Sequence, residues 1–309
     1  MIGDRKASAL PESIAVFLEQ AFSPACEAYT FQPLAGDASD RSYVRVISGA
    51  SASLSEPSFI LMQLAEPWSP GSEGGELPFV NIARHLTEKG VRVPDVCVNA
   101  SDQGFVLLED MGDVTLESHV RSCAAGERDR CYREAVRLLV QMQKEASLPS
   151  RTPCVALSYA FDAETFFREL CFFREHAVEG MWGRTIRGSD RKELDRQFLA
   201  LCREVAEVPQ TFTHRDYHSR NLMVRAGGLS VLDFQDARLG PLTYDLASLL
   251  RDSYVALEPE KQGEMLDYYL DLSRARGGLP LEGAAFRRAF VRTGLQRNLK
   301  ALGTFAYQA

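Results

Sequence analysis

Hydrophobic and polar positions follow two different rhythms along this chain. Residues 12–22 (ESIAVFLEQAF) carry Ile14, Phe17, Leu18 and Phe22 at helical spacing, which predicts a first helix. Short strand-like runs follow at 29–34, 42–47 and 59–64. The small-residue stretch SGASASLSEP between the last two reads as the turn of a hairpin. A helix is predicted over 79–89, ending at Gly90, and two more strands over 95–99 and 104–108. Next comes the polar connector Glu109-Asp110-Met111-Gly112-Asp113. Beyond it the period changes to 3.6. Helices are predicted over 127–145, around Val136, Leu139, Val140 and Met142, and over 163–177, around Phe166, Phe167, Leu170 and Phe173, with Asp162 as N-cap. A third covers 191–207. Residues 211–237 are strand-like in two pieces, and the chain from Tyr244 onward is helical again.

This order predicts an α+β architecture of two unequal lobes. Residues 1–108 form a small β-rich lobe, 109–113 a hinge, and 114–309 a larger helical lobe, with a ligand cleft at the connector. At 309 residues and 45% apolar, the chain has enough material for a core in each lobe. A formal charge of -7 argues against nucleic acid or an anionic membrane surface as partner. The first residues, MIGDRKASALPES, lack the apolar core of a secretory signal, and no apolar run reaches the length of a membrane span. Seven scattered cysteines without a Cys-x-x-Cys pair predict a reduced, cytoplasmic chain with inert thiols; they and five dispersed histidines suggest no zinc site.

The chemistry concentrates in TFTHRDYHSRNLMVRAGGLSVLDFQDA (211–237). His214-Arg215-Asp216 is followed by four residues and then Asn221, and Asp233 stands twelve residues beyond, after an apolar run. That is the spacing of a phosphoryl-transfer loop. Transfer to a hydroxyl needs a carboxylate to orient it and accept its proton, a role that suits Asp216. It also needs hard oxygen ligands that hold magnesium against a triphosphate, and Asn221 and Asp233 supply an amide oxygen and a carboxylate. His214 is better suited to bracing the loop than to the chemistry.

HRDYHSRNLMV followed by VLDFQDARLGPLTYDLASLL resembles the aminoglycoside phosphotransferase family. Within it the chain is similar to the bacterial N-acetylmuramate/N-acetylglucosamine anomeric sugar kinases, through LAGDASDRSYVRV (34–46), FILMQLAEP (59–67), VLLEDMGD (106–113) and LQRNLKALGTFA (295–306). The resemblance implies a two-lobed protein-kinase-like fold, ATP and Mg2+ as cofactors, and phosphorylation of an amino sugar to its 1-phosphate in cell-wall recycling. A downstream sugar-1-phosphate nucleotidyltransferase is then a partner in the pathway. It implies that Asp216 is the base, that Asn221 and Asp233 bind the metal, and that Glu109 to Met111 hold adenine. Asp245 would support the catalytic loop or cap the following helix, and Asp236 would brace a turn. Only 234–244 separate Asp233 from Asp245, and no Ala-Pro-Glu follows, so there is no peptide-docking platform.

Two family features are altered. The phosphate-covering stretch LAGDASDRS has one glycine, leaving Ser39, Ser42 and backbone amides. No lysine occurs between Lys6 and Lys89. Gln63 stands near the expected lysine, and Arg41 and Arg45 are the candidate cations beside the phosphates; Arg84 is the remaining cation of that interval. Neither Glu76 nor Glu88 is a clear partner glutamate for the missing lysine. For the acceptor, Tyr217 and His218 adjoin the base, Trp182 and Glu175 belong to the helical insertion, and Arg215 can face a carboxylate. An aminoglycoside, choline or homoserine kinase, or a non-catalytic nucleotide-binding relative, is the alternative.

Overall fold

The structure is a computed structural model and describes Phe17 and residues 29–34, 41–48, 58–69, 75–277, 280–281 and 283–309. Most of the first predicted helix and the turn between the second and third strands lie outside these residues. The chain divides into two compact units. The smaller holds Pro94–Gly112 and the described residues up to Val80; the larger holds Asn81–Val93 and Asp113–Ala309.

The smaller unit is built on one antiparallel sheet. Strands β1 (Tyr29–Pro33), β2 (Ser42–Ser48), β3 (Ser58–Gln63), β4 (Val96–Ala100) and β5 (Phe105–Glu109) lie in the order β1-β2-β3-β5-β4. Side chains alternate between faces along each strand. Val46, Leu61, Ala100, Phe105 and Leu107 form the core of one face with Phe17, and Val44, Phe59 and Val98 pack against it. The two-residue period predicted these strands to within a residue or two of their ends.

In the larger unit the helices are α1 (Pro78–Glu88, from Asn81 onward in this unit), α2 (Leu116–Ser122), α3 (Ala125–Glu145), α4 (Ala163–Phe173), α5 (Gly188–Ala206), α6 (Tyr244–Leu250), α7 (Pro259–Ala275) and α8 (Gly283–Gln308). Asp162 caps α4, its carboxylate accepting from the Thr165 amide at 2.7 Å. The helix predicted to run on to residue 177 changes character at Arg174. Residues Arg174–Met181 wind as a wider π-helical stretch, a form that is rare and concentrated near functional sites. Buried Arg174 at its start pairs with Asp195 on α5.

The phenylalanines of α4 are core residues. Phe166, Leu170 and Phe173 pack with Phe161, Phe198, Val205 and Tyr244. The Phe161 ring stacks on Phe166 at 4.8 Å and on Tyr244 at 5.2 Å. Helix α8 lies against α4 so closely that a Cβ on Gly303 would come within 2.7 Å of the Phe173 Cα and 3.0 Å of its amide nitrogen. This contact seats the last helix over the insertion.

Two antiparallel pairs carry the 211–237 stretch. β6 (Gln210–Thr213) pairs with β9 (Arg238–Pro241), and β7 (Leu222–Arg225) pairs with β8 (Gly228–Val231). Among the described residues, no helix is long and apolar enough to cross a membrane.

Gly303→Ala should destabilise the protein by about 1–3 kcal/mol, because backbone atoms must move apart. Gly263→Ala, inside α7 with open space around it, should stabilise it by about 0.5–1 kcal/mol. Urea unfolding of the two variants measures both, and equal responses would mean that the α4–α8 contact is not tight.

Candidate active site

The β7–β8 register explains the twelve-residue gap between Asn221 and Asp233. Leu222 pairs with Val231, and the ladder continues with the Leu232 amide donating to the Asn221 carbonyl at 2.9 Å. The residues flanking this pair are therefore brought side by side. Asn221 Nδ2 donates to Asp233 Oδ2 at 3.3 Å and to the main-chain oxygen of Asp216 at 3.0 Å. One amide thus ties the loop bearing Asp216 to Asp233. With both amide hydrogens turned inward, Asn221 Oδ1 accepts no hydrogen bond from a described residue. Asp233 is exposed beside it, its carboxylate also accepting from Gln235. An amide oxygen next to a carboxylate suits a hard divalent cation.

Asp216 sits on a loop fixed from beneath. His214 is fully buried; its Nε2 lies 2.7 Å from the Leu232 carbonyl, and its Nδ1 accepts from the Asp216 amide at 3.3 Å. Those contacts place the proton on Nε2. The buried Asp245 carboxylate accepts the amides of His214 at 2.7 Å and Arg215 at 3.1 Å. It lies inside the first turn of α6, whose N-cap is Thr243, so it supports the loop and does not cap the helix. Arg215 and Asp233 are the only described non-glycine residues with positive φ, at 79° and 59°. Both occupy the left-handed region, which most side chains avoid.

Charge around Asp216 comes from a part of the chain that motif spacing does not reach. Lys300 Nζ on α8 stands 3.6 Å from Asp216 Oδ1. Burial would raise the Asp216 pKa, but Lys300, Arg297 and Arg215 outweigh it and hold the carboxyl well below its ordinary range. Asp245 has the opposite balance. Burial pushes it up to about 6 despite His214 and the two amides. Asp252 was also missed: its carboxylate accepts the Ser219 amide at 2.9 Å and steadies the far end of the loop. No local pattern marks these residues, because each acts across a long sequence separation.

Two expected contacts, those of Tyr217 and Arg45, are corrected. Tyr217 is fully buried, with its hydroxyl donating to the Ala135 carbonyl at 2.9 Å, so it faces the core and not an acceptor. Arg45, expected beside the phosphates, is engaged by Asp110. Its Nε lies 2.6 Å from Asp110 Oδ2, and Nη2 reaches Asp110 Oδ1 and the Gly112 carbonyl, which ties β2 to the connector. Ser58 and the Gly112 amide also donate to Asp110. The Glu109 amide is engaged by the Asp95 carbonyl at 2.9 Å, and its buried carboxylate accepts from the Asp95 amide. Met111 is buried, and Gln63 Oε1 accepts from Ser42 at 3.4 Å. Arg41 is half-buried ahead of β2; Ser39 lies outside the described residues.

On the larger unit, His218 is half-buried, its ring edge-on to Tyr254. Arg215 lies over the Phe161 ring, with Nη1 3.6 Å from the exposed Asp236. Trp182 and Glu175 are exposed; Trp182 meets Phe173 edge-on, and Glu175 is 3.8 Å from Arg174. A grouping not expected from sequence is His119, Glu127 and Cys131, whose ligand atoms lie within 4.8 Å of one another, although Glu127 is engaged by Arg130.

Residues 30–280 match the model of the phosphotransferase enzyme family, APH. The chain is 36% identical over 222 residues to the N-acetylmuramate/N-acetylglucosamine kinase of Neisseria meningitidis serogroup B, covering 70% of this chain and 63% of that protein. It is 32% identical over 275 residues to the protein of the same name from Pseudomonas aeruginosa, covering 89% and 75%. The fold is similar to that of the ADP-bound aminoglycoside phosphotransferase APH(2'')-Ib (TM-score 0.62, 15% identity, 96% and 91% covered). It is also similar to that of a choline kinase from Cryptosporidium parvum Iowa II (TM-score 0.60, 13% identity, 95% and 89% covered).

Stability should depend on Asp245 with a defined sign. Its folded pKa is raised, so its contribution is fullest below the unfolded value near 4 and declines as pH rises through about 6. Relative to Asp245→Asn, the wild type should lose up to about 3 kcal/mol between pH 4 and 7. Urea unfolding at stepped pH measures this; a difference that does not change with pH would contradict the buried, proton-retaining carboxyl.

Proposed function

Because the chain belongs to the phosphotransferase enzyme family, we propose that it is an ATP- and magnesium-dependent kinase that phosphorylates the anomeric hydroxyl of an amino sugar. The observation that carries this reading is the joining of Asp216, Asn221 and Asp233 through one amide group. The names of the relatives support N-acetylmuramate and N-acetylglucosamine as acceptors. The product would be a sugar 1-phosphate, suited to a following nucleotidyl transfer in cytoplasmic cell-wall recycling.

In this mechanism Asp216 receives the acceptor hydroxyl and fixes its direction of attack. Its depressed pKa makes it a weak base in the ground state. That suits a loose phosphoryl-transfer transition state, in which positioning matters most and the proton leaves late. His214 and Asp245 keep the loop from turning, so the carboxylate needs no reorganisation during reaction. Magnesium, when bound, would be held by Asn221 Oδ1 and the Asp233 carboxylate and would supply positive charge to the phosphates. In the smaller unit, residues 109–111 would hold the adenine, and Arg41 is the candidate cation for the phosphates, since Arg45 is committed to Asp110. Division into a nucleotide lobe (1–108), a hinge (109–113) and a catalytic lobe (114–309) belongs to the same proposal. The cations near Asp216 speak against a polycationic aminoglycoside as acceptor.

ADP release with N-acetylmuramate, N-acetylglucosamine, kanamycin and choline tests the reading. Turnover is expected with the amino sugars, and Asp216→Asn should lower kcat by about 10²–10⁴-fold while ATP binding persists. Wild-type turnover in that variant would overturn the role of Asp216, and release only with kanamycin or choline would overturn the acceptor.

A further inference from the structure

Helix α8 places two cations on one face, at positions three apart, beside the carboxylate of the proposed base. Arg297 is only 5% exposed, and its Nε and Nη1 have no hydrogen-bond partner among the described residues. A buried guanidinium left in that state is costly. Asp216 and Asp245 are carboxylates whose charge it meets, and the acidic groups of this region are engaged with other residues. Asp245 accepts the amides of His214 and Arg215, Asp252 accepts that of Ser219, and Glu169 accepts from Gln296 at 2.8 Å. Among the described residues Lys300 Nζ reaches Asp216 alone, at 3.6 Å, which is long for a direct ion pair and leaves its other hydrogens without an acceptor there.

The position of these cations favours the acceptor over the nucleotide. Asn221 touches the main-chain oxygen of Asp216, whereas Lys300 faces its carboxylate, the end that would receive the hydroxyl. The helix is also held rigidly. Gly303 lies against the Phe173 backbone, and the Thr293 hydroxyl meets that of Thr243 at 2.7 Å. A fixed guanidinium with two unused donors, next to an ammonium, is built to take a carboxylate.

We infer that Arg297 and Lys300 form an anion subsite that binds a carboxylate on the acceptor and thereby selects carboxylated amino sugars over neutral ones. The inference rests on the proposed sugar-kinase reading. N-acetylmuramate and N-acetylglucosamine are the natural pair of probes, because they differ by one lactyl ether whose carboxylate only the first carries. Binding that group satisfies Arg297 and offsets Lys300 without changing the reacting hydroxyl.

The test is steady-state kinetics with both sugars at saturating ATP and magnesium, on wild type, Lys300→Gln, Arg297→Gln and the conservative Arg297→Lys. Thermal unfolding of each variant identifies any that fail to fold, and Lys300, being partly exposed, is the safer site. The wild type should favour N-acetylmuramate. In Lys300→Gln and Arg297→Gln, KM for that sugar should rise tenfold or more, with a several-fold smaller effect on N-acetylglucosamine. Arg297→Lys should recover part of the preference. Equal losses with both sugars, carried by kcat, would overturn the subsite and assign these cations to the transferred phosphoryl group. Turnover of neither sugar by the wild type would instead overturn the sugar-kinase reading itself, and the subsite with it.

Discussion

The loop that carries the proposed base depends on one buried carboxylate. Asp245 accepts two consecutive backbone amides, from His214 and Arg215, at the point where the chain leaves β6. Arg215 has a positive φ there, a conformation that a bulky residue does not adopt unless its surroundings require it. The two hydrogen bonds supply that requirement. The turn aims Asp216 away from the core and sends its neighbour Tyr217 into it. His214 completes the brace by joining the Asp216 amide to the Leu232 carbonyl. The burial of Asp245 destabilises its charged form, so the geometry of the loop comes at the expense of stability above pH 6.

From that fixed loop, strand pairing does the rest. Asn221 and Asp233 are twelve residues apart, yet the β7–β8 ladder leaves them 3.3 Å apart because they flank its last pair. Asn221 uses its amide nitrogen for both protein contacts, which leaves its oxygen without a hydrogen bond from a described residue. The proposed base and the two oxygen ligands thus form one hydrogen-bonded unit, and disturbing any member should displace the others.

What the sequence made legible follows from how local each feature is. Period-two runs placed the five strands of the smaller unit, and helical spacing placed α3 to α5, because burial of one face imposes those rhythms. The Asp216, Asn221 and Asp233 constellation was readable because it lies within one short stretch. The direction of Tyr217 was not, since adjacency to a catalytic position says nothing about where a side chain points when the backbone turns through positive φ. The Arg45 partner lies 65 residues away, and nothing in VRV announces an ion pair with Asp110. Lys300 and Arg297 stand still further from Asp216 along the chain. The stretch around them was noticed only for its resemblance to the family, and it took the packing of α8 on α4 to give it a chemical setting.

The unit around Asp216 is proposed to transfer phosphate to the anomeric oxygen of an amino sugar. Phosphorus NMR of the wild-type reaction with ATP, magnesium and N-acetylmuramate tests it most directly. A new sugar phosphate resonance, split by coupling to the anomeric proton, is expected. Phosphate on any other sugar oxygen, or no sugar phosphate at all, would contradict the proposal.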